Sequence, residues 1–279
     1  MIENRKMETK DLRKKLEAVL EALGDNEAPE CIEYIEEQFI GEDELFCDEP
    51  YEIANTLLQC DKPGDLPKAI RDLIVELFSA AFDDGNGDAM NDLGAQYYDG
   101  SRGFDQDFTK AVNCYKLAAT KGSRQAQENL GYCYYYGRNM PVDYEKAFHY
   151  FALGAFDGHL ISLYKIGDMY RNGYYVEKNE VEAFHIYSRC LDTMTDEAVQ
   201  IVAGPVLLRV GSAFLNGIGT EVDLKKALIC FQQAEAYLYD MVAGGNVMYK
   251  KSLQAAIDGQ TEARAKLTEA LPKKDWTVE

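Results

Sequence analysis

His149 and His185 are the side chains best placed for proton transfer or metal binding, because each stands two residues after an alanine in the matching segments AFHYF and AFHIY. An imidazole titrates near neutral pH and ligates metals through a neutral nitrogen. A metal site needs a third ligand, and no residue is spaced to supply it. Asn113 and Ile229 hold the same place in two further segments, so a periodic pattern accounts for the pair without chemistry. His159 falls at a turn and reads as exposed. The seven cysteines (Cys31, Cys47, Cys60, Cys114, Cys133, Cys190, Cys230) stand singly, with no CxxC and no close Cys/His pairing. That argues against a disulfide framework or a structural zinc, and leaves them as small buried apolar residues. There is no GxSxG, GxxxxGK[ST], HExxH or strand-to-helix GxGxxG. The GNG at Gly85–Gly87 is a turn between helices. We therefore expect no enzyme, no metal and no cofactor.

Charge narrows the partners. The net charge is −19 over 279 residues. Surfaces that bind phosphate need positive charge, so nucleic acid and anionic membranes are excluded as expected partners. A basic protein partner is compatible with that balance, although acidic surfaces also serve solubility alone. No apolar run approaches the roughly 20 residues that span a bilayer. The N-terminal MIENRKMETKDLRKKLEAVLEALG has no continuous apolar stretch, so we expect no signal peptide and a cytoplasmic protein.

The elements that position these residues are set by an internal repeat. NDLGAQYYDG (91–100) returns as ENLGYCYYYG (128–137), YKIGDMYRNG (164–173) and LRVGSAFLNG (208–217). A first glycine (Gly94, Gly131, Gly167, Gly211) is followed three residues on by an aromatic (Tyr97, Tyr134, Tyr170, Phe214). Six residues on comes a second glycine (Gly100, Gly137, Gly173, Gly217). Next come Asp107, Asp143, Asn179 and Asp223, four before an alanine (Ala111, Ala147, Ala183, Ala227). A second aromatic (Tyr115, Phe151, Tyr187, Phe231) lies four beyond that alanine, and a small residue (Ala118, Gly154, Cys190, Ala234) seven beyond it. Asp and Asn cap helix N-termini by accepting an unpaired backbone N–H. The second glycine suits a left-handed C-terminal stop. Each unit is thus helix A, a glycine-ended turn, a capped loop and helix B. The first glycine costs about 1 kcal/mol in a helix, which close approach of helix B would explain, with the Tyr97 and Tyr115 types filling the space beside it. Successive first glycines are 37, 36 and 44 residues apart. The extra residues lie in Leu191–Pro205, where they extend a helix or a loop, with Pro205 suited to a first helical turn.

This pattern resembles the Sel1-like repeat, a relative of the tetratricopeptide repeat. LNGIGTEVDLKKALICFQQAEA (215–236) is the best copy. The third unit departs from it at Asn179, Glu182 and Cys190. The resemblance implies an all-α, right-handed α-solenoid of helix-turn-helix repeats with helical caps. We divide the chain into an acidic N-terminal helical cap (1–66), a partial first repeat (67–87), four repeats (88–240) and a C-terminal helical cap with tail (241–279). The stripe Leu12, Leu16, Val19, Leu20, Leu23 predicts a first helix that Gly24 stops. Ile32, Ile35, Phe39 and Ile40 predict a second helix, and Ile53, Ala54, Leu57 and Leu58 a third. DKPGDLP (61–67) is the expected boundary. Tyr249, Leu253, Ala256, Ile257, Ala263, Leu267 and Leu271 mark the C-terminal helix, followed by a tail with Trp276.

The resemblance also implies function. In repeats of this kind helix A lines a concave face, where a protein or peptide partner is held. Positions three before, one after, and four and five after the first glycine should face it. Our candidate peptide-binding residues are Asn91, Tyr98, Glu128, Tyr132, Tyr135, Tyr136, Tyr164, Asp168, Arg171 and Asn172, with Ala95, Asp99, Leu208, Ser212, Leu215 and Asn216 at the remaining places. Aromatics offer contact area at low entropy cost, and amides grip backbone groups. Acidic groups there would select basic side chains. Tyr97, Tyr134 and Tyr170 are assigned to the core. One alternative is an acidic inhibitor or immunity-type protein that neutralises a basic partner. Another is a hydrolase such as the β-lactamase activity proposed for secreted, cysteine-paired members, which would call for a buried charged cluster in a deep pocket. A self-assembling role is a third.

Overall fold

A computed structural model describes residues 9–23, 35–39, 49–59 and 65–270. The second expected helix is thus seen only over 35–39, where Ile35 and Phe39 are buried; Gly24, Ile32, Ile40, Leu271 and Trp276 lie outside the described residues. All elements among the described residues are helical, and the fold is an all-α helical repeat. The chain forms two compact units, Met1–Asp143 and Tyr144–Glu279.

The first unit holds α1 (Thr9–Leu23), α2 (Pro50–Leu58), α3 (Lys68–Asp83), α4 (Gly87–Asp99), α5 (Phe108–Thr120) and α6 (Arg124–Tyr136). Leu12, Leu16 and Leu23 bury one stripe of α1, which packs on α3, where Lys15 pairs with Glu76. Ile53, Ala54 and Leu57 fix α2 on the same helix, against Ile70, Ile74, Leu77 and Phe78. Each large side chain buried this way contributes about 1.5–3 kcal/mol.

The second unit holds α7 (Tyr144–Phe156), α8 (Leu160–Asn172), α9 (Glu180–Asp192), α10 (Asp196–Asn216), α11 (Leu224–Ala243) and α12 (Lys250–Ala270). Val202, Val206 and Val210 of α10 pack with Tyr164, Ala183 and Tyr187, while Ala203 and Leu207 pack with Ala234, Leu238 and Ala256. By length and composition alone, Ala198–Asn216 could cross a bilayer, which corrects the expectation that no apolar run approaches that length. More than half of that stretch is buried within the protein, as in the core helix of a folded domain.

The repeat code reads directly onto these elements. The second glycines Gly100, Gly137, Gly173 and Gly217 all take left-handed φ, between 65° and 70°. Asp107, Asn179 and Asp223 cap α5, α9 and α11 through their side chains. In every copy the residue at the cap position also donates its N–H to the carbonyl of the first aromatic: Asp107 to Tyr97, Asp143 to Tyr134, Asn179 to Tyr170 and Asp223 to Phe214, at 2.8–3.0 Å. The turn is therefore sealed by backbone, and its sequence beyond the glycine and the cap is free to vary.

Three expectations change. A Cβ on Gly94 would lie 2.7 Å from the Tyr115 ring, one on Gly167 2.6 Å from the Tyr187 ring, and one on Gly211 3.0 Å from the Phe231 ring. The first glycine thus makes room for helix B's aromatic itself, rather than for a bare backbone. The first aromatics Tyr97, Tyr134, Tyr170 and Phe214 are only half-buried; Tyr97 meets Phe104, Tyr170 meets Phe148 and Phe214 meets Phe184. Pro205, expected in a first turn, sits inside α10, which begins at Asp196. Its missing N–H removes the usual helical donor to the carbonyl of Ile201, one turn earlier.

Candidate functional site

Two residues before each first glycine, every copy carries a polar side chain: Asp92, Asn129, Lys165 and Arg209. These lie on helices that bury further polar groups, Asn91, Glu128 and Asp168 among them, and a buried polar group must find a partner. In the first unit they form a relay. The Tyr51 hydroxyl and the Asn91 amide both donate to Asp92, and Asn129 donates to the Asn91 side-chain oxygen at 3.0 Å. Burial raises the Asp92 pKa, partly offset by its Tyr51 and Asn91 hydrogen bonds; burial and Asp92 push Tyr51 up to about 12.

In the second unit the same register holds charge. The Asp168 carboxylate accepts from Arg209 Nε and Nη2 at 2.5 and 2.7 Å, a bidentate pairing between α8 and α10. Tyr187 of α9 donates to the same carboxylate at 2.7 Å, and Lys165 Nζ stands 3.8 Å away. Arg209 also donates to the Pro205 carbonyl, and its guanidinium stacks over Tyr164 at 4.8 Å. Burial alone would raise the Asp168 pKa, but Arg209, Lys165 and Tyr187 together hold it below the usual carboxylate range. Tyr187 is pushed up by burial and by Asp168, and Arg209 is raised by Asp168 against its own burial. This is the buried charged cluster that an enzyme reading called for. Its carboxylate is ionised and committed to three partners, which suits a fixed strut joining α8, α9 and α10 better than a proton-transfer group.

Beside this strut opens a cleft of about 610 Å³. One wall is α8 and α10, with Arg171, Asn172, Ser212 and Asn216; the other is α12, with Ser252, Asp258 and Glu262; Leu208, Leu215 and Phe231 give it an apolar floor. Asn172 and Asn216 donate to the carbonyls of Asp168 and Ser212, and their amide oxygens can act as acceptors. Asp258 accepts from Gln254 and Glu262 pairs with Lys266, each one turn along α12. No histidine or cysteine lines the cleft.

The ten candidate residues distribute as follows. Asp168, Arg171 and Asn172 line the cleft, with Leu208, Ser212, Leu215 and Asn216 from the equivalent places on α10. Tyr164 is buried beneath it against Arg209, and Asn91 and Glu128 are buried in the first unit, so these three offer support rather than surface. Tyr98 is half-buried against Phe108, and Tyr132, Tyr135 and the exposed Tyr136 form one ring cluster. Arg209 and the α12 wall were not among the expected residues. The signal for Arg209 was the polar position recurring before each glycine. Nothing in the repeat code signalled α12. His149 and His185 are both exposed. Cys114, Cys133 and Cys190 are buried, and burial raises their thiols to about 11, 11 and 12, consistent with inert packing.

Comparison with known proteins places these helices. The Sel1 repeat matches residues 87–123, 124–159, 160–189 and 206–236. Over 159 residues the chain is 30% identical to protein sel-1 homolog 2 of Mus musculus, a match covering 57% of this chain and 22% of that one. Over 75 residues it is 36% identical to the ERAD-associated E3 ubiquitin-protein ligase component HRD3B of Arabidopsis thaliana, covering 27% and 12%. The chain thus spans between about a tenth and a fifth of the length of these curated relatives. Among solved structures, a protective antigen of uropathogenic Escherichia coli displaying an SLR fold aligns with a TM-score of 0.55 at 19% identity, covering 91% of this chain and 53% of that one; the likeness speaks for the fold. With its repeats matched from residue 87 to residue 236, the chain belongs to the Sel1-like repeat family.

Proposed function

We propose that this chain is a non-catalytic adaptor that holds a partner protein, and that the cleft between α8, α10 and α12 is one of its binding surfaces. Sel1 repeat proteins are in general scaffolds for protein–protein interaction. The observation that carries the reading for this chain is the composition of the cleft. It combines an apolar floor, amide and hydroxyl groups, two carboxylates and the guanidinium of Arg171 on a wall fixed from behind by the Asp168–Arg209 strut. Such a mixture suits a peptide segment, whose backbone needs donors and acceptors and whose side chains need an apolar anchor. Asp258 and Glu262 favour basic side chains on that segment. The helix-A tyrosines Tyr98, Tyr132, Tyr135 and Tyr136 extend the reading to the first unit. A relative named as a ligase component suggests service in a larger assembly.

The test is affinity capture with the full chain as bait, wild type beside Arg171→Ala/Asn216→Ala/Glu262→Ala, washed at low and high salt, with a photo-crosslinker at Ser212. A partner crosslinked at Ser212, lost by the variant and kept in high salt supports the cleft. A partner kept by the variant but lost in high salt favours the charge-neutralising inhibitor instead.

A further inference from the structure

Arg138 follows the left-handed Gly137 at the end of α6, and its side chain is exposed. An exposed guanidinium has water available on every side, yet this one lies among three rings. Its central carbon is 5.0 Å from the Phe108 ring centre, 5.8 Å from Tyr136 and 6.0 Å from Tyr98, and its Nε points to the Tyr98 hydroxyl at 3.4 Å. Tyr98 and Phe108 meet edge to face at 5.2 Å, and Tyr135 meets Tyr136 in the same way at 4.9 Å, so neighbouring rings hold the walls in place. The rings come from three helices, the end of α4, the first turn of α5 and the end of α6, which the sealed turns bring together. Ring faces carry negative potential and attract cations, arginine above lysine because its planar guanidinium also stacks. The net charge of −19 adds a long-range attraction of the same sign.

We propose that Tyr98, Phe108 and Tyr136 form a recognition site for an arginine side chain of a protein partner, and that Arg138 occupies it in the free chain. Arg138 is then a built-in competitor: its backbone N–H is held by the Cys133 carbonyl, but its exposed side chain can rotate out, and the incoming guanidinium replaces it ring for ring. No bond is made or broken, and the exchange conserves charge at the site. This specifies the partner chemistry for the first unit. It rests on the adaptor reading, but its test uses purified chain and a defined peptide, so it stands or falls independently of the cleft.

The experiment is a titration of acetyl-Gly-Ser-Arg-Ser-Gly-amide into the full chain at physiological salt, followed by NMR of the aromatic rings. Three proteins are compared: wild type, Arg138→Ala, and Arg138→Ala/Phe108→Leu, each checked for an unchanged helical circular dichroism spectrum. Removing the competitor should tighten binding about threefold, the scale of cation–π contacts at an exposed site. Shifts should be centred on Tyr98, Phe108 and Tyr136, and Phe108→Leu should abolish the gain. The same peptide with citrulline, neutral but of nearly the same shape, should not bind. Equal affinity with and without Arg138, equal binding of the citrulline peptide, shifts confined to other residues, or no binding by any variant would each overturn the proposal. If Phe108→Leu alters the fold, Tyr136→Leu at the exposed edge of the site replaces it as the control.

Discussion

Asp168 is taken almost wholly out of water, and a lone carboxylate so placed would be costly. Arg209, Tyr187 and Lys165 offset that cost, so the four groups stand or fall together. Asp168→Asn leaves two cations without their counter-charge, and breaking a buried pair costs about 3–5 kcal/mol. We expect a loss of about 3 kcal/mol in urea denaturation, whereas replacing Asp168 and Arg209 together by leucine should cost markedly less. The pH dependence has a definite sign. The folded pKa of Asp168 is depressed, so its stabilisation is fully present above the unfolded value of about 3.9 and is lost as pH falls through the folded value. The wild type should lose stability steeply below about pH 4, and Asp168→Asn should flatten that limb. Asp168 was legible in the sequence as the place one after a repeat glycine. Its pairing with Arg209 was not, because a contact between residues 41 apart depends on how far α8 and α10 rotate about their axes. Asn91, Glu128 and Tyr164 mislead for the same reason: repeat register names a helix face, and burial of that face depends on its neighbours.

At the level of the element, the repeat works as a ring seated on a glycine. Tyr115 on Gly94 and Tyr187 on Gly167 are copies of one contact, and Phe231 is held twice, by Gly211 and by Gly259 of α12. Gly94→Ala would gain about 1 kcal/mol of helix propensity and lose about 1–3 kcal/mol to overpacking, since its methyl would sit 2.7 Å from the Tyr115 ring. We expect net destabilisation, read as a lower urea midpoint with an unchanged slope. In the Tyr115→Leu background the same substitution should be neutral or stabilising, and additive effects in that cycle would refute the contact. The helices α4 to α11, the glycine turns and the caps were legible because their signals are local: a left-handed stop, an Asp or Asn cap, an apolar period. The start of α10 was not. Pro205 is a strong local signal for a first turn, and it is overridden by packing of Val202, Ala203, Val206 and Leu207 on both sides. The docking of α12 was also hidden, since Gly259 imitates the first glycine without the surrounding code.

Across the whole molecule, stability in a repeat array is close to a sum of local terms and nearest-neighbour interfaces. The polar register shows this in its bonding: Asp92, Asn91 and Asn129 link the first two repeats, while Lys165, Asp168 and Arg209 link the last two. Each relay is short and lies within one of the two compact units. A lesion in one relay should therefore stay local. Native-state hydrogen exchange resolves this, because protection reports the free energy of each local opening. In Asp168→Asn, amides of α8, α9 and α10 should exchange faster, by a factor that matches the roughly 3 kcal/mol lost from the strut, about a hundredfold. Amides of α4 and α5 should keep their wild-type protection. The converse variant, Asn91→Ala, should relax α4 and α6 and leave α8 to α10 unchanged. A uniform rise in exchange along the chain in either variant would mean that all repeats open together. A local rise would mean that one unit can loosen while the other keeps its shape.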